Sequence, residues 1–368
     1  MKRKQILLGC TVSLGMFMLI LDSKTALAGA QDGILLCMQT VIPALFPFFL
    51  LSGLIIQTLP GLNLRIFHWV ERIFYIPRGS GAIFAIGLLS GYPVGAQLIA
   101  QAYQDHQLLE KTAKRMLGFC SNAGPAFLFG MVGPMFSVWY IPWVLWSIHI
   151  LGACVAGWFL HRDTAEENTE LPTTNVTLVS ALQKAVKNMA LVCGWVVIFR
   201  VFLAFCQRWF LWLFSNEIQV IFYGIWELSN GCMQLQNISS DAVRFLVAGL
   251  FLSFGGICVM LQTASVTGIL GMGMYWKGKA IQSLVTAILC LFLSPALFPG
   301  QDHPVAYIGL AVLLMMGFAA ICLIRKKVVA IPGKMLYNTG NSRTKGAVLC
   351  CFERKSTAPA AIVKEVLP

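Results

Sequence analysis

Apolar stretches of roughly membrane-spanning length, about ten of them at about 20 residues each, follow one another from Ile6 to Ile324 between short polar or charged turns. They predict an all-α, polytopic transmembrane protein. The stretches are not uniform. GLLSGYPVGAQLIAQ, from Gly87, is interrupted by Gly91, Pro93 and Gly95, and LGFCSNAGPAFLFG, from Leu117, by Asn122, Gly124 and Pro125. Proline removes a backbone donor and clashes with the preceding turn, and glycine loosens what remains. Irregular backbone survives at membrane depth only where protein buries it or where it lines a watery cavity. Two broken segments in succession therefore mark a candidate binding site.

The rest of the chain is arranged around that pair. MKRK followed by ILLGCTVSLGMFMLIL reads as a first span or signal-anchor over residues 1–30, with a signal peptide cleaved after ALA as the competing reading. Ile34 to Gln57 contains Pro43 and Pro47 and predicts a kinked span. In Gly61 to Arg78, arginines alternate with Ile66, Phe67, Trp69, Ile73 and Phe74, as in an interfacial amphipathic helix. A re-entrant hairpin over Gly81 to Gln104, a broken span over Met116 to Gly133 and a return span over Trp143 to Leu160 complete a first unit, 31–160. Residues 161–177 form a polar, acidic cytoplasmic linker.

The second unit, 178–324, repeats the order. A span from Met189 to Phe205 precedes a hairpin, Ile218 to Leu235, and a broken span, Phe245 to Leu270; Ala280 to Phe298 and Val305 to Ile324 close the domain. A basic tail occupies 325–368. GLLSGYPVGAQLIAQ is echoed by GIWELSNGCMQLQNI from Gly224, and LGFCSNAGPAFLFG by LFLSFGGICVMLQT from Leu250. With the first hairpin opening inward and the second outward, the expectation is two inverted repeats of re-entrant hairpins and broken helices, the plan of secondary transporters.

Composition agrees with the pattern. The chain is 58% hydrophobic and 11% charged, with a mean hydropathy of +0.75, which excludes an ordinary soluble domain. The formal net charge of +12 could suggest nucleic acid, but the basic residues sit in short loops and one tail. Placing the amino terminus, the loops around Arg65 to Arg78, Lys111 to Arg115, Arg162 to Lys187 and Lys277 to Lys279, and the tail in the cytoplasm leaves only Lys24, Arg200, Arg208 and Arg244 elsewhere. That asymmetry satisfies the positive-inside rule with both termini cytoplasmic. The twelve cysteines are scattered without CxxC or histidine spacing and read as packing residues, with no metal site and no cofactor. GxSxG, HExxH and Walker A motifs are absent, so an enzyme is not expected.

Glu227 stands out, an acid inside an apolar hairpin beside Tyr223, Trp226, Ser229 and Asn230. A charge at membrane depth costs about 3 kcal/mol or more, so an intramembrane acid is by default a functional hypothesis. It suits coupling to a proton or sodium; surface placement or pairing with Arg200 is the structural alternative. Ser90, Tyr92, Ser121, Asn122, Ser229, Asn230 and Gln262 gather at the breaks as substrate-binding candidates. Gly91, Pro93, Gly95, Gly124, Pro125, Gly231, Gly255 and Gly256 are hinge or gate candidates. Half-helix amino ends at the breaks would offer N–H groups to a carboxylate.

SGYPVGA (Ser90 to Ala96), FCSNAGP (Phe119 to Pro125), ELSNG (Glu227 to Gly231) and FGG with Gln262 together resemble the YlbJ-type sporulation integral membrane proteins of the nucleoside-recognition, or Gate, superfamily. The resemblance covers about Ile34 to Ile324. It implies export of dipicolinate, a small planar dianion, across the outer forespore membrane, with the mother cell on the cytoplasmic side. The expected function is a secondary transporter of a small organic anion, coupled through Glu227, with the lipid bilayer as its setting and no nucleic-acid partner. The alternatives are a non-transporting scaffold of the sporulation machinery and a transporter of a nucleoside-like solute.

Overall fold

The computed structural model describes residues 2–58, 67–160 and 177–301. Most of the linker at 161–177, the expected span from Val305, the basic tail and the first part of the amphipathic stretch lie outside the described residues. Among the described residues every regular element is helical, as the apolar runs predict.

Helices α1 (Lys2–Leu21) and α2 (Ser23–Leu36) meet at Asp22, whose carboxylate caps α2 by accepting the Thr25 N–H at 3.2 Å. The ALAGA segment thus lies inside α2, upstream of the Ile34 start expected for the span. A π-helical turn, Cys37–Val41, joins α2 to α3 (Ile42–Thr58), and Ser23–Leu54 is long and apolar enough to cross a membrane. Pro47 sits inside α3, in keeping with the kinked span. Only α4 (His68–Phe74) represents the amphipathic stretch among the described residues; its Glu71 accepts the Gly79 and Gly81 N–H groups at 2.7 and 3.3 Å and fixes the start of the next helix.

The first hairpin is α5 (Gly81–Ser90) and α6 (Val94–Gln104), parted by Gly91 to Pro93. Helix α7 (Glu110–Met116) occupies the charged turn. The broken span then runs irregularly from Leu117 to Gly124 before the short α8 (Pro125–Phe127) and a π-helical turn at Leu128–Val132. Helix α9 (Ile141–Phe159) has 19 residues, about 28 Å at 1.5 Å per residue, a bilayer core's thickness. Exposed Trp139, Tyr140 and Trp143 mark one end and Trp158 and Phe159 the other, as aromatic belts do.

The second half opens with α10 (Leu178–Trp209), which merges the basic stretch around Lys184 with the following span into one helix. It packs along α2 and α3. Gly29 and Gly33, one helical turn apart on α2, face Val201, Ala204 and Val197 so closely that an added Cβ would lie 2.9 Å from its nearest neighbour, the small-residue contact of membrane helix pairs. Helices α11 (Asn216–Trp226) and α12 (Leu228–Met233) form the second hairpin, and α13 (Asp241–Phe254) and α14 (Gly256–Thr267) the second broken span. Helix α15 (Gly273–Leu297) packs against α13 and α9.

Close contacts at glycine lock each hairpin to its neighbour. The carbonyl oxygen of Cys120 sits between Gly87 and Gly95, where added Cβ atoms would lie 2.0 and 1.9 Å from it. In the second half the ring of Phe251 fills the space beside Gly224 and Gly231, so close that a Cβ added at Gly224 would meet it at 2.1 Å.

Arg244 is one clamp the sequence did not reveal. From α13 it donates to the carbonyls of Leu235 (3.1 Å), Met135 (2.9 Å) and Ile238 (2.6 Å) and pairs with Asp241 at 2.6 Å. It ties both halves' loops to one helix end. Arg244→Ala leaves three carbonyls without their charge-assisted donor and is expected to cost about 3 kcal/mol. Thermal unfolding of the purified protein in detergent checks this; a Tm equal to wild type would make the clamp incidental.

Lys279 departs from the expected loop placement. The charge count sets it in a cytoplasmic loop with Lys277, whereas the structure buries it completely in the first turns of α15. The helix starts seven residues before the expected Ala280, and this earlier start carries Lys279 into the bundle.

Candidate functional site

Three of the four breaks line one pocket, and the fourth, at Gly255, lies against Tyr92 in its wall. The pocket is lined by Gly91 and Tyr92 from the first hairpin, Ala123, Gly124 and Phe127 from the first broken span, and Glu227, Leu228 and Ser229 from the second hairpin. Val259 and Gln262 from α14, Val192 and Val196 from α10, and Thr40, Val41, Ala44 and Leu45 from α3 and the π-helical turn before it complete the wall. The lining is mostly apolar with a few placed polar groups.

The backbone at two breaks needs glycine. Gly91 has φ +86° and Gly255, the left-handed cap that ends α13, has φ +82°, a region that residues with a Cβ enter only under strain. The π-helical turn at Cys37–Val41, which brings Thr40 and Val41 to the pocket, is a deviation of the kind that gathers at functional sites. No glycine or proline lies within those five residues, so the sequence carries no signal for it.

Glu227 is buried and sits between α11 and α12 in extended conformation. Its carboxyl oxygens accept the backbone N–H groups of Ser229 (3.1 Å) and Asn230 (2.8 Å) and the Asn230 side-chain amide (2.6 Å). The amino end of α12 is thereby filled from within the chain, so it is not an open anion seat. Arg200 does not reach Glu227 directly. It donates to Asn230 Oδ1 and forms an ion pair with Asp32 at 3.2 Å, which gives a relay Asp32–Arg200–Asn230–Glu227 from a half-exposed acid to the pocket.

A second polar cluster lies behind Tyr92. Lys279 Nζ donates to Tyr92 Oη at 2.9 Å and to Gln282 Oε1 at 2.7 Å, and lies 4.9 Å from the centre of the Tyr92 ring. Tyr92 Oη in turn donates to the Leu252 carbonyl at 3.0 Å. The Gln282 amide nitrogen donates to Asn122 Oδ1 at 3.1 Å and to the His149 carbonyl at 3.2 Å, while His149 Nε2 accepts the Ala123 N–H at 3.1 Å. Asn122 Nδ2 closes the set on the Phe119 carbonyl at 2.7 Å.

The sequence-derived candidates thus divide. Gly91, Tyr92, Gly124, Glu227, Ser229 and Gln262 line the pocket; Asn122 belongs to the cluster behind it, and Asn230 holds Glu227. Ser90 and Ser121 are buried outside the lining, Ser121 with no hydrogen-bond partner for its hydroxyl. Pro93 and Pro125 start α6 and α8, Gly95 and Gly231 serve the hairpin contacts, and Gly255 and Gly256 lie against Tyr92 and the Gly224 carbonyl. Lys279, Gln282 and His149 were not among the candidates. A signal existed: Lys279, Gln282 and Thr286 stand at i, i+3 and i+7, one polar stripe on an apolar helix.

Discontinuous membrane helices folded around a buried polar centre define an integral membrane protein of the polytopic α-helical class. Among curated proteins the chain is similar to the sporulation integral membrane protein YlbJ of Bacillus subtilis (strain 168), at 23% identity over 332 residues, covering 77% of this chain and 81% of that relative. The two are homologous membrane proteins. No family profile and no solved structure matches the chain.

Proposed function

We propose that the chain is a secondary transporter of a small organic anion, foremost dipicolinate during spore formation, with Glu227 as its coupling group. The observation that carries this reading is the meeting of all four broken segments at one pocket that includes Glu227. Irregular backbone at membrane depth is tolerated where protein buries it or where it lines a cavity, and a transporter needs it where solute crosses. The matching order of hairpin and broken span in each half supports an inverted repeat whose hairpins act as gates, in the manner of the Gate superfamily. Homology to a sporulation membrane protein supports the setting, with both termini on the mother-cell side. The pocket carries out no bond chemistry on this reading.

The test is uptake of dipicolinate into proteoliposomes containing the purified chain. Uptake that requires the protein and a proton or sodium gradient is expected. Folded protein that moves no dipicolinate under either gradient, together with normal spore dipicolinate in a deletion strain, would overturn the substrate assignment and favour the scaffold role.

A further inference from the structure

Lys279 is wholly buried in the helix bundle, with no carboxylate in ion-pair range among the described residues. Its two hydrogen-bond acceptors, Tyr92 Oη and Gln282 Oε1, are neutral, and an ammonium has three donors. Intramembrane charges face the bundle interior and pair with one another or mark a solute path. Other charged groups near the pocket have their counterparts: Glu227 has three N–H donors, and Arg200, which holds Asn230, has Asp32. Lys279 is instead held by neutral hydrogen-bond acceptors.

Its position relative to the pocket supplies the second observation. Tyr92 is the shared wall: it lines the pocket and it also carries the hydroxyl that Lys279 holds. Gln282 is in turn fixed by Asn122, one residue before the pocket-lining Ala123. The cluster therefore joins both breaks of the first half to α15, and a solute group that displaced the Tyr92 hydroxyl would meet the ammonium next.

We propose that Lys279 is the specificity-determining cation of the pocket, the group that receives a carboxylate of an organic anion once Tyr92 swings aside. This deepens the transporter reading and rests on it for the pocket's role as a substrate site. Tyr92 is the positioning residue: its hydroxyl occupies the ammonium in the empty state and passes to the carboxylate or stays on the Leu252 carbonyl when the anion arrives. Asn122 and Gln282 hold Nζ beside the Tyr92 hydroxyl. A neutral solute lacks the charge needed to displace Tyr92, so the pocket selects acids over their esters.

Binding to the purified chain in detergent, measured by calorimetry with dipicolinate, benzoate and succinate as probes and the dimethyl ester of dipicolinate as the neutral control, tests this without any transport step. At least one acid is expected to bind and the ester is not. Lys279→Met is expected to weaken the acid by about ten- to a hundred-fold, the worth of one charge-assisted hydrogen bond, while Lys279→Arg retains most of the affinity. Should Lys279→Met fail to fold, Lys279→Gln, which keeps a donor but carries no charge, is measured in its place and is expected to show the same loss. Equal affinity in the folded neutral variant, or folded wild type that binds none of the acids, would overturn the proposal. Uptake of a nucleoside by a chain that binds no acid would sink this inference and leave a transporter standing; an acid bound at Lys279 without uptake would do the reverse.

Discussion

Glu227→Gln is expected to bring gradient-driven uptake down to the level of empty liposomes while the protein inserts and folds as wild type. Glutamine has nearly the same shape, and its remaining carbonyl oxygen can still accept from the Ser229 or Asn230 N–H groups that Glu227 now binds at 3.1 and 2.8 Å. What it loses is the ability to exchange a proton or to hold a cation beside the pocket. The substitution thus separates capping of α12 from coupling. Uptake assays on protein matched for abundance and melting behaviour decide between them, and undiminished flux would leave Glu227 a helix cap and nothing more.

Gly95→Ala is expected to damage folding severely. Its new Cβ would lie 1.9 Å from the Cys120 carbonyl oxygen, and that atom is backbone, already gripped from the far side by Gly87. No rotamer change relieves such a contact, so α6 and the broken span must part. A cost of about 3 kcal/mol or more is expected, at the upper end of overpacking. It is read as a lowered Tm or loss of monodisperse protein in detergent. Gly194→Ala is the control, because a Cβ there meets nothing within 4 Å. If the two variants melt alike, the close approach at Cys120 is not what holds the first hairpin in place.

Much of this arrangement could be read from the residues alone, for definite reasons. Membrane helices need long apolar runs, so their class is written in composition, and a break needs glycine, proline or a polar cap, so Gly91 to Pro93, Asn122 to Pro125, Glu227 and Gly255 announced themselves. Other features depend on what comes near in space. Arg200 finds Asp32, 168 positions away, rather than Glu227. The π-helical turn before α3 has no residue type of its own. Lys279 was misplaced because the positive-inside rule treats a lysine beside a loop as a loop residue. Its neighbour Lys277 is exposed, two positions along the same helix, and only the helical stripe shared with Gln282 tells them apart.

The grip of Gly87 and Gly95 on the Cys120 carbonyl, matched by Gly224 and Gly231 against Phe251, bears on how such a molecule could work as a machine. Contacts made against bare glycine backbone have little slack, because the glycines offer no side chains to roll or bend. Each hairpin and its broken span must then travel as a single stiff part, and neither can slide on its own partner. Across the halves the ties run through long side chains instead: Tyr92 on the Leu252 carbonyl, Gln282 on Asn122 and Arg244 on the Met135 carbonyl. Any slack between the two stiff parts therefore lies in these side chains, and one of them, Tyr92, is also a wall of the pocket.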